Sequence, residues 1–165
     1  MTAAEPPDPY VAHDLQLRRV HGALLAWLRE LTAPAPATTA EARAARATEA
    51  CGALLFHHRA ESTVLFPHLR SAGRLRSTDV AFLDGCERDH RALHALCERL
   101  RATATAPHLD ALELARLARE LETALAAHVA DEEAGLAPDR LRTMITPEGL
   151  ADLAGIAEVA RARLA

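Results

Sequence analysis

The sequence contains no lysine, few aromatic residues and few glycines, and these shortages exclude several classes of protein. All 19 basic side chains are arginine, and 23 acidic ones outnumber them, so the net charge is −4. A mildly acidic chain lacks the basic surface by which proteins bind nucleic acids or membranes, and we expect neither partner. No apolar run approaches the roughly 20 residues of a membrane-spanning helix. Three cysteines cannot complete a disulfide framework, so we expect a reducing, cytoplasmic location.

Helix-forming residues dominate what is present. Alanine, leucine, arginine and glutamate are abundant, and no segment alternates apolar and polar residues over the length of a strand. The pattern predicts four long helices, over about 10–31, 40–66, 78–104 and 107–135. Pro67 and then Gly73 are expected to close the second helix. Thr146-Pro147-Glu148 predicts the start of a short additional helix.

Short connections between four long helices favour one architecture. We expect an all-α fold, an antiparallel up-down-up-down four-helix bundle with a short C-terminal extra helix. The bundle is expected over residues 10–138, after a disordered lead of residues 1–9 and before a helical tail of residues 139–165.

An internal repeat carries the chemistry. The pattern His-x3-Glu-x5-Pro occurs twice, beginning at His57-x3-Glu61 and at His128-x3-Glu132. Residues four apart lie on one face of a helix, so each pair directs an imidazole and a carboxylate at the same point. The preceding helices offer His21, which lies 36 residues before His57.

The third helix offers imidazoles at the same spacing. His90 lies 38 residues before His128, and His90-x3-His94 directs two imidazoles at one point. Carboxylates can bridge two cations while imidazoles fill terminal positions, so the combined set suits a dinuclear iron centre better than one zinc ion. The candidate metal ligands are His21, His57, Glu61, His90, His94, His128 and Glu132.

This arrangement resembles the hemerythrin-like (HHE cation-binding) family of four-helix bundles with a non-haem diiron site. The resemblance covers roughly residues 10–138 and rests on His57-x3-Glu61 with Leu65-Phe66-Pro67, on Asp89-His90, and on His128-x3-Glu132-Glu133. It implies two iron ions with an oxo or hydroxo bridge, and Glu61 and Glu132 as bridging ligands. It also implies that the five histidines are terminal ligands, three on one iron and two on the other.

The family resemblance also implies a function. A vacant position on the less-ligated iron takes dioxygen, peroxide or nitric oxide, as in a carrier, a sensor or a protein of iron and oxygen homeostasis. The alternative is a diiron enzyme, either catalase-like or an oxidase or oxygenase of a small substrate. Manganese in place of iron also stays open. The C-terminal helix is a possible docking surface for a protein partner.

Two ligand assignments stay open. His13 competes with His21, but the two lie ~12 Å apart along a helix and cannot bind one metal, and the matched spacings favour His21. Invertebrate oxygen carriers space the last pair His-x4-Asp, which selects Glu133 instead of Glu132.

Three further positions depart from the family or adjoin a candidate ligand. Many bacterial relatives lack a second histidine at the position of His94. Many relatives also have an acid where Ser62 stands. His58 adjoins His57 but points ~100° away on a helix, so we expect it to be exposed or to lie behind the ligands.

Overall fold

The computed structural model describes residues 8–33 and 38–153, which contain helices and no strand. In chain order the elements are α1 (Pro9–Thr32), α2 (Ala40–Ala60), a π-helical segment (Glu61–Leu65), α3 (Phe66–Ser71), α4 (Ser77–Ala104), α5 (Ala111–Gly135) and α6 (Pro138–Met144). Residues 147–153 are helical as well. Within these ranges, no helix is long and apolar enough to cross a membrane.

The four long helices pack around a shared interior. α1 packs against α2 and α5, and α4 packs against the same two helices. Apolar residues at helical spacing produce this packing, as with Leu24, Leu28 and Leu31 of α1, which are all buried. Each long helix therefore has two neighbours and presents a different side to each of them.

The buried apolar side chains form two separate clusters, and a polar layer lies between them. Along α1, Leu17 belongs to one cluster and Leu24 to the other, with the buried His21 between them. Along α5, His128 follows Leu125 of one cluster and precedes Leu136 of the other. The interior histidines thus share one level of the molecule.

Side-chain caps determine where several helices begin. Asp8 accepts a hydrogen bond from the backbone N–H of Tyr10, so α1 starts at Pro9, the last residue of the expected lead. Residues 1–7 of that lead lie outside the described residues. Asp110 caps α5 in the same way, and this helix starts a few residues later than the sequence predicted.

The prediction that the second helix ends before Pro67 is wrong. The helix continues through a π-helical turn, in which the N–H of Phe66 donates to the carbonyl of Glu61, and α3 then runs to Ser71. A proline ring clashes with the carbonyl four residues before it in a regular α-helix, and the wider π turn relieves this clash. Gly73, with a φ of 69°, then reverses the chain.

The described part of the tail packs on the end of the bundle. The hydroxyl of Tyr10 donates to the carbonyl of Ile145 at 2.9 Å, and His68 Nε2 donates to the carbonyl of Gly149 at 2.9 Å. Leu150 and Leu153 are buried in the adjoining apolar cluster. Helix α6 was not predicted, and residues 154–165 of the expected tail helix lie outside the described residues.

Candidate metal centre

Potential metal-ligand atoms gather in the polar layer in two groups, and within each group all of them lie within 4.8 Å of one another. We call these the first group (His21, His57, Glu61 and Glu132) and the second group (His58, His90 and His128). Six of the seven ligands proposed from the sequence are in these groups. The seventh, His94, is in neither, and His58 is present instead.

Glu61 lies between the two groups. Its Oε1 is 3.1 Å from Nε2 of His57, the histidine one helical turn before it on α2. Its Oε2 is 3.4 Å from Nε2 of His90, which α4 supplies. One carboxylate therefore directs one oxygen at an imidazole of each group.

Glu132 occupies the equivalent place on α5. Its Oε2 lies 3.3 Å from Nε2 of His21 and 3.5 Å from Nε2 of His128. In addition, Nε2 of His21 lies 3.0 Å from Nε2 of His57. The four-residue spacing of both repeats thus brings a histidine and a glutamate together, and the neighbouring helix completes each contact.

The chemistry of this donor set fits metal ions. Glu61 and Glu132 are at most 4% exposed, yet none of their four carboxylate oxygens has a hydrogen-bond partner among the described residues. The same holds for Nε2 of His90 and of His128, because the short contacts between these atoms lack hydrogen-bond geometry. Buried polar atoms without partners are costly, and cations bound between them would remove that cost.

The opposite edges of two imidazoles have hydrogen-bond partners of their own, and a third edge lies near a carboxylate. Nδ1 of His21 donates to a carboxylate oxygen of Glu133 at 3.1 Å. Nδ1 of His90 lies 3.1 Å from Oγ of Ser62. Nδ1 of His128 lies 3.6 Å from Oδ2 of Asp89, which is too far for a hydrogen bond. The partners of His21 and His90 fix the orientation of a ring and leave its Nε2 free to coordinate.

Burial sets the protonation state of the layer. It lowers the pKa of both His57 and His90 to about 3, and neighbouring imidazoles add to this effect. Burial likewise puts the pKa of His58 far below its ordinary value. These rings are therefore neutral at pH 7, which is the form that binds metals. Burial, followed by the nearby Glu132 carboxylate, raises the pKa of Glu61, as expected for two acids that share a buried site.

The structure also shows the positions of His58 and His13, which were not in the expected ligand set, and of His94, which was. His58 is fully buried, so of the two positions expected for it, exposed or behind the ligands, the exposed one is wrong. His94 is half-buried and stacks behind His58, with 5.3 Å between the ring centroids. His13 belongs to neither ligand group. The periodicity of α2 gave no signal for His58, because its burial depends on α2 lying between α1 and α4 and so having two interior sides.

Comparison with known proteins agrees with this geometry. Residues 15–139, about three quarters of the chain, match the family model described as hemerythrin HHE cation binding domain. The chain therefore belongs to the hemerythrin HHE cation-binding family. Neither the curated proteins nor the solved structures gave a significant match.

Proposed function

We propose that this chain holds a pair of iron ions and that the pair binds or reacts with dioxygen, peroxide or nitric oxide. The observation that carries the proposal is the position of the two buried carboxylates. Glu61 and Glu132 each contact an imidazole of the first group and an imidazole of the second. Carboxylates placed in this way suit two adjacent cations, because each can bridge them while the imidazoles fill terminal positions.

In this proposal the residues divide into bridging and terminal ligands. Glu61 and Glu132 bridge, and their two negative charges offset part of the charge of the buried cations. His21 and His57 hold one ion, and His90 and His128 hold the other. The first group has only two imidazoles. Its His57 side chain is 14% exposed, so this is the side from which a small ligand can approach.

The remaining residues orient the ligands and exclude water. Glu133 keeps the proton of His21 on Nδ1, so that Nε2 presents its lone pair to the metal. The apolar clusters above and below the layer keep bulk water from the carboxylates. A bound iron pair supplies one or two electrons to a small ligand.

We also propose that the four long helices run alternately up and down. Contacts between α1 and α2 support this, because Glu30, late in α1, pairs with Arg46, early in α2, while His21 pairs with the later His57.

A cytoplasmic location is part of the same proposal, and three free, buried cysteines are consistent with it. A protein partner on the C-terminal helix would have to bind a side other than that of Leu150 and Leu153, because these two residues already pack on the chain itself.

Metal analysis of the purified protein tests the proposal. We expect two irons per chain, magnetically coupled through their bridges, and manganese measured on the same sample identifies the metal. Glu61→Ala should abolish the coupled pair because it removes a bridge, whereas Glu49→Ala, an exposed change on the same helix, should not. A wild-type chain that binds a single metal, or a Glu61→Ala chain that keeps a coupled pair, would overturn the proposal.

Rapid mixing separates binding from catalysis. When the reduced protein meets oxygen, a carrier or sensor gives a persistent optical change with about one ligand for each iron pair. An enzyme gives a change that decays, together with multiple turnovers of added peroxide. We expect the persistent change, and sustained peroxide turnover would instead establish the catalase-like alternative.

A further inference from the structure

His58 is a buried imidazole whose polar atoms have no protein partner. The side chain is fully buried, and neither ring nitrogen has a hydrogen-bond partner within the described ranges. A neutral imidazole carries one N–H donor and one acceptor, so both capacities are left unused in the interior. A leucine or phenylalanine would fill the same space without this cost, so packing alone gives no reason for a histidine here.

The position of the ring relates it to the second ligand group. It stacks on His90 with 4.0 Å between centroids and 8° between planes, and it meets His128 edge to face at 5.4 Å. A ring nitrogen of His58 and one from each of these two histidines all lie within 4.8 Å of one another. Three imidazoles from three different helices therefore bring a ring nitrogen each to within reach of one cation.

His94 is the competing imidazole, because it lies four residues after His90 on α4. Its ring centroid is 6.4 Å from that of His90, well beyond the 4.0 Å that separates His58 from His90. It is also half-buried rather than buried, and it is not part of either ligand group. The four-residue spacing that makes His90 and His94 look like a ligand pair is thus not used by the second group.

We propose that His58, and not His94, is the third imidazole ligand of the metal position formed with His90 and His128. This inference rests on the proposed dinuclear centre and assigns one of its ligands. Because His57 and His58 are adjacent, their side chains diverge by about 100° around α2. His57 then belongs to the first group, beside α1, and His58 belongs to the second group, beside α4. The neutral ring adds a ligand without adding charge.

Paired substitutions test this assignment. His58→Phe keeps a flat ring on His90 but has no nitrogen, and His94→Phe makes the same chemical change at the competing position. His108→Phe is the control, because His108 is exposed and distant in sequence from the ligands. We expect iron per chain to fall from two to about one in His58→Phe and to stay at two in His94→Phe and His108→Phe. Circular dichroism verifies that each variant is folded.

A second variant separates coordination from packing. His58→Ala leaves a space of the size of an imidazole, and adding free imidazole to this protein should restore the second iron and its optical spectrum. Added benzene, which fills space but cannot coordinate, should not restore it. This comparison also serves if the larger phenylalanine at position 58 prevents folding.

The possible results distinguish failure of the His58 assignment from failure of the proposed dinuclear centre. If wild-type protein binds two irons and His58→Phe also binds two, the assignment of His58 fails while the dinuclear centre stands. Loss of an iron in His94→Phe with retention in His58→Phe would assign the ligand to His94. If His58→Ala recovers its iron with benzene as well as with imidazole, His58 has a packing role only. A wild-type chain without two metals would defeat the proposed function itself.

Discussion

His21 and Glu133 are joined by a hydrogen bond of 3.1 Å, in which the imidazole Nδ1 donates to a carboxylate oxygen. Glu133 is therefore on the outer edge of the ring, whereas Glu132 faces Nε2 on the inner edge at 3.3 Å. Both acids of the Glu132-Glu133 pair contact the same histidine, from opposite sides. This geometry favours Glu132 as the ligand and gives Glu133 an orienting role.

The two acids should therefore respond differently to substitution. We expect Glu132→Ala to lose the paired centre, because it removes a bridge. We expect Glu133→Ala to keep two metals per chain but to bind them about 10–100-fold more weakly, as is typical when the partner of a ligand is removed. Metal titration with a competing chelator measures both, and Asp131→Ala, an exposed change on the same helix, is the control. Equal losses at positions 132 and 133 would contradict this division.

A similar comparison settles the ligand from α1. His21→Ala should lower the number of metals per chain, because His21 lies in the first group at 1% exposure. His13→Ala should leave the number at two, because His13 belongs to neither group. Elemental analysis of both variants decides the matter, and a large loss of metal in His13→Ala would transfer the role to His13.

Ser62 should contribute to metal affinity through His90. Its Oγ lies 3.1 Å from Nδ1 of that ring, and removing it leaves the ring edge without a partner. We expect Ser62→Ala to weaken metal binding by about 10–100-fold while the helix content is unchanged. Thr63→Ala is the matched control, since Thr63 is exposed and its hydroxyl donates to the carbonyl of Arg59. Unaltered affinity in Ser62→Ala would show that the contact has no effect.

Gly135 should not tolerate a side chain. A Cβ at this position would lie 2.1 Å from the ring of Phe82, which Arg140 covers on one face. We expect Gly135→Ala to reduce the free energy of unfolding by about 1–3 kcal/mol, the usual cost of overpacking. Adding Phe82→Ala should relieve the overlap, so the double variant should lose less than the two separate changes combined. Additive losses, measured by urea unfolding, would contradict the steric explanation.

Metal-free protein should become less stable as the pH falls from 6.5 towards 3. The pKa of both His57 and His90 is about 3 in the folded chain against an ordinary value of 6.5, so between these values the unfolded chain binds protons that the folded chain does not. The raised pKa of Glu61 has the opposite effect on stability above pH 4.5, because there the folded chain binds a proton that the unfolded chain does not. This is one carboxyl group, whereas several imidazoles favour the loss of stability at low pH.

Urea unfolding in the presence of EDTA at pH 7 and pH 5 measures this dependence. We expect the midpoint to be lower at pH 5. His58→Phe removes one of the buried imidazoles, so its midpoint should change less between the two pH values. A wild-type midpoint that rises on acidification would contradict the expected sign.

The sequence predicted best which candidate ligands lie together where spacing alone decides. His57 with Glu61 and His128 with Glu132 are four residues apart, and helix geometry brings each pair together whatever surrounds it. His58 depends instead on which helices flank α2. If α2 had one interior face, His57 would be on it and His58 would point away. Because α2 packs against both α1 and α4, it has two interior faces, and His58 is on the second. That information is tertiary and does not appear in the periodicity of one helix.

Some helix boundaries could likewise be predicted from the sequence, and others depend on tertiary packing. The range of α1 follows from apolar residues at helical spacing, so it was predicted within a residue, although its cap at Asp8 was placed in the disordered lead. The continuation of the helix through Pro67 was not predicted. A π turn and a helix end have the same local signal in the sequence, which is a proline without an N–H. Which of them forms depends on the packing of Phe66 and Leu69 in the end cluster.

The wide turn at Glu61–Leu65 affects how the chain can change in length. A π turn contains one residue more than an α turn but rotates the chain by about the same angle, so Phe66 and Leu69 keep their orientation relative to His57 despite the extra residue. If the same residues formed regular α turns, Phe66 and Leu69 would rotate by about 100° relative to His57 and would no longer face the end cluster. Deletion of one residue within the segment would keep the orientation, but it would bring back the clash between the ring of Pro67 and the carbonyl four residues before it.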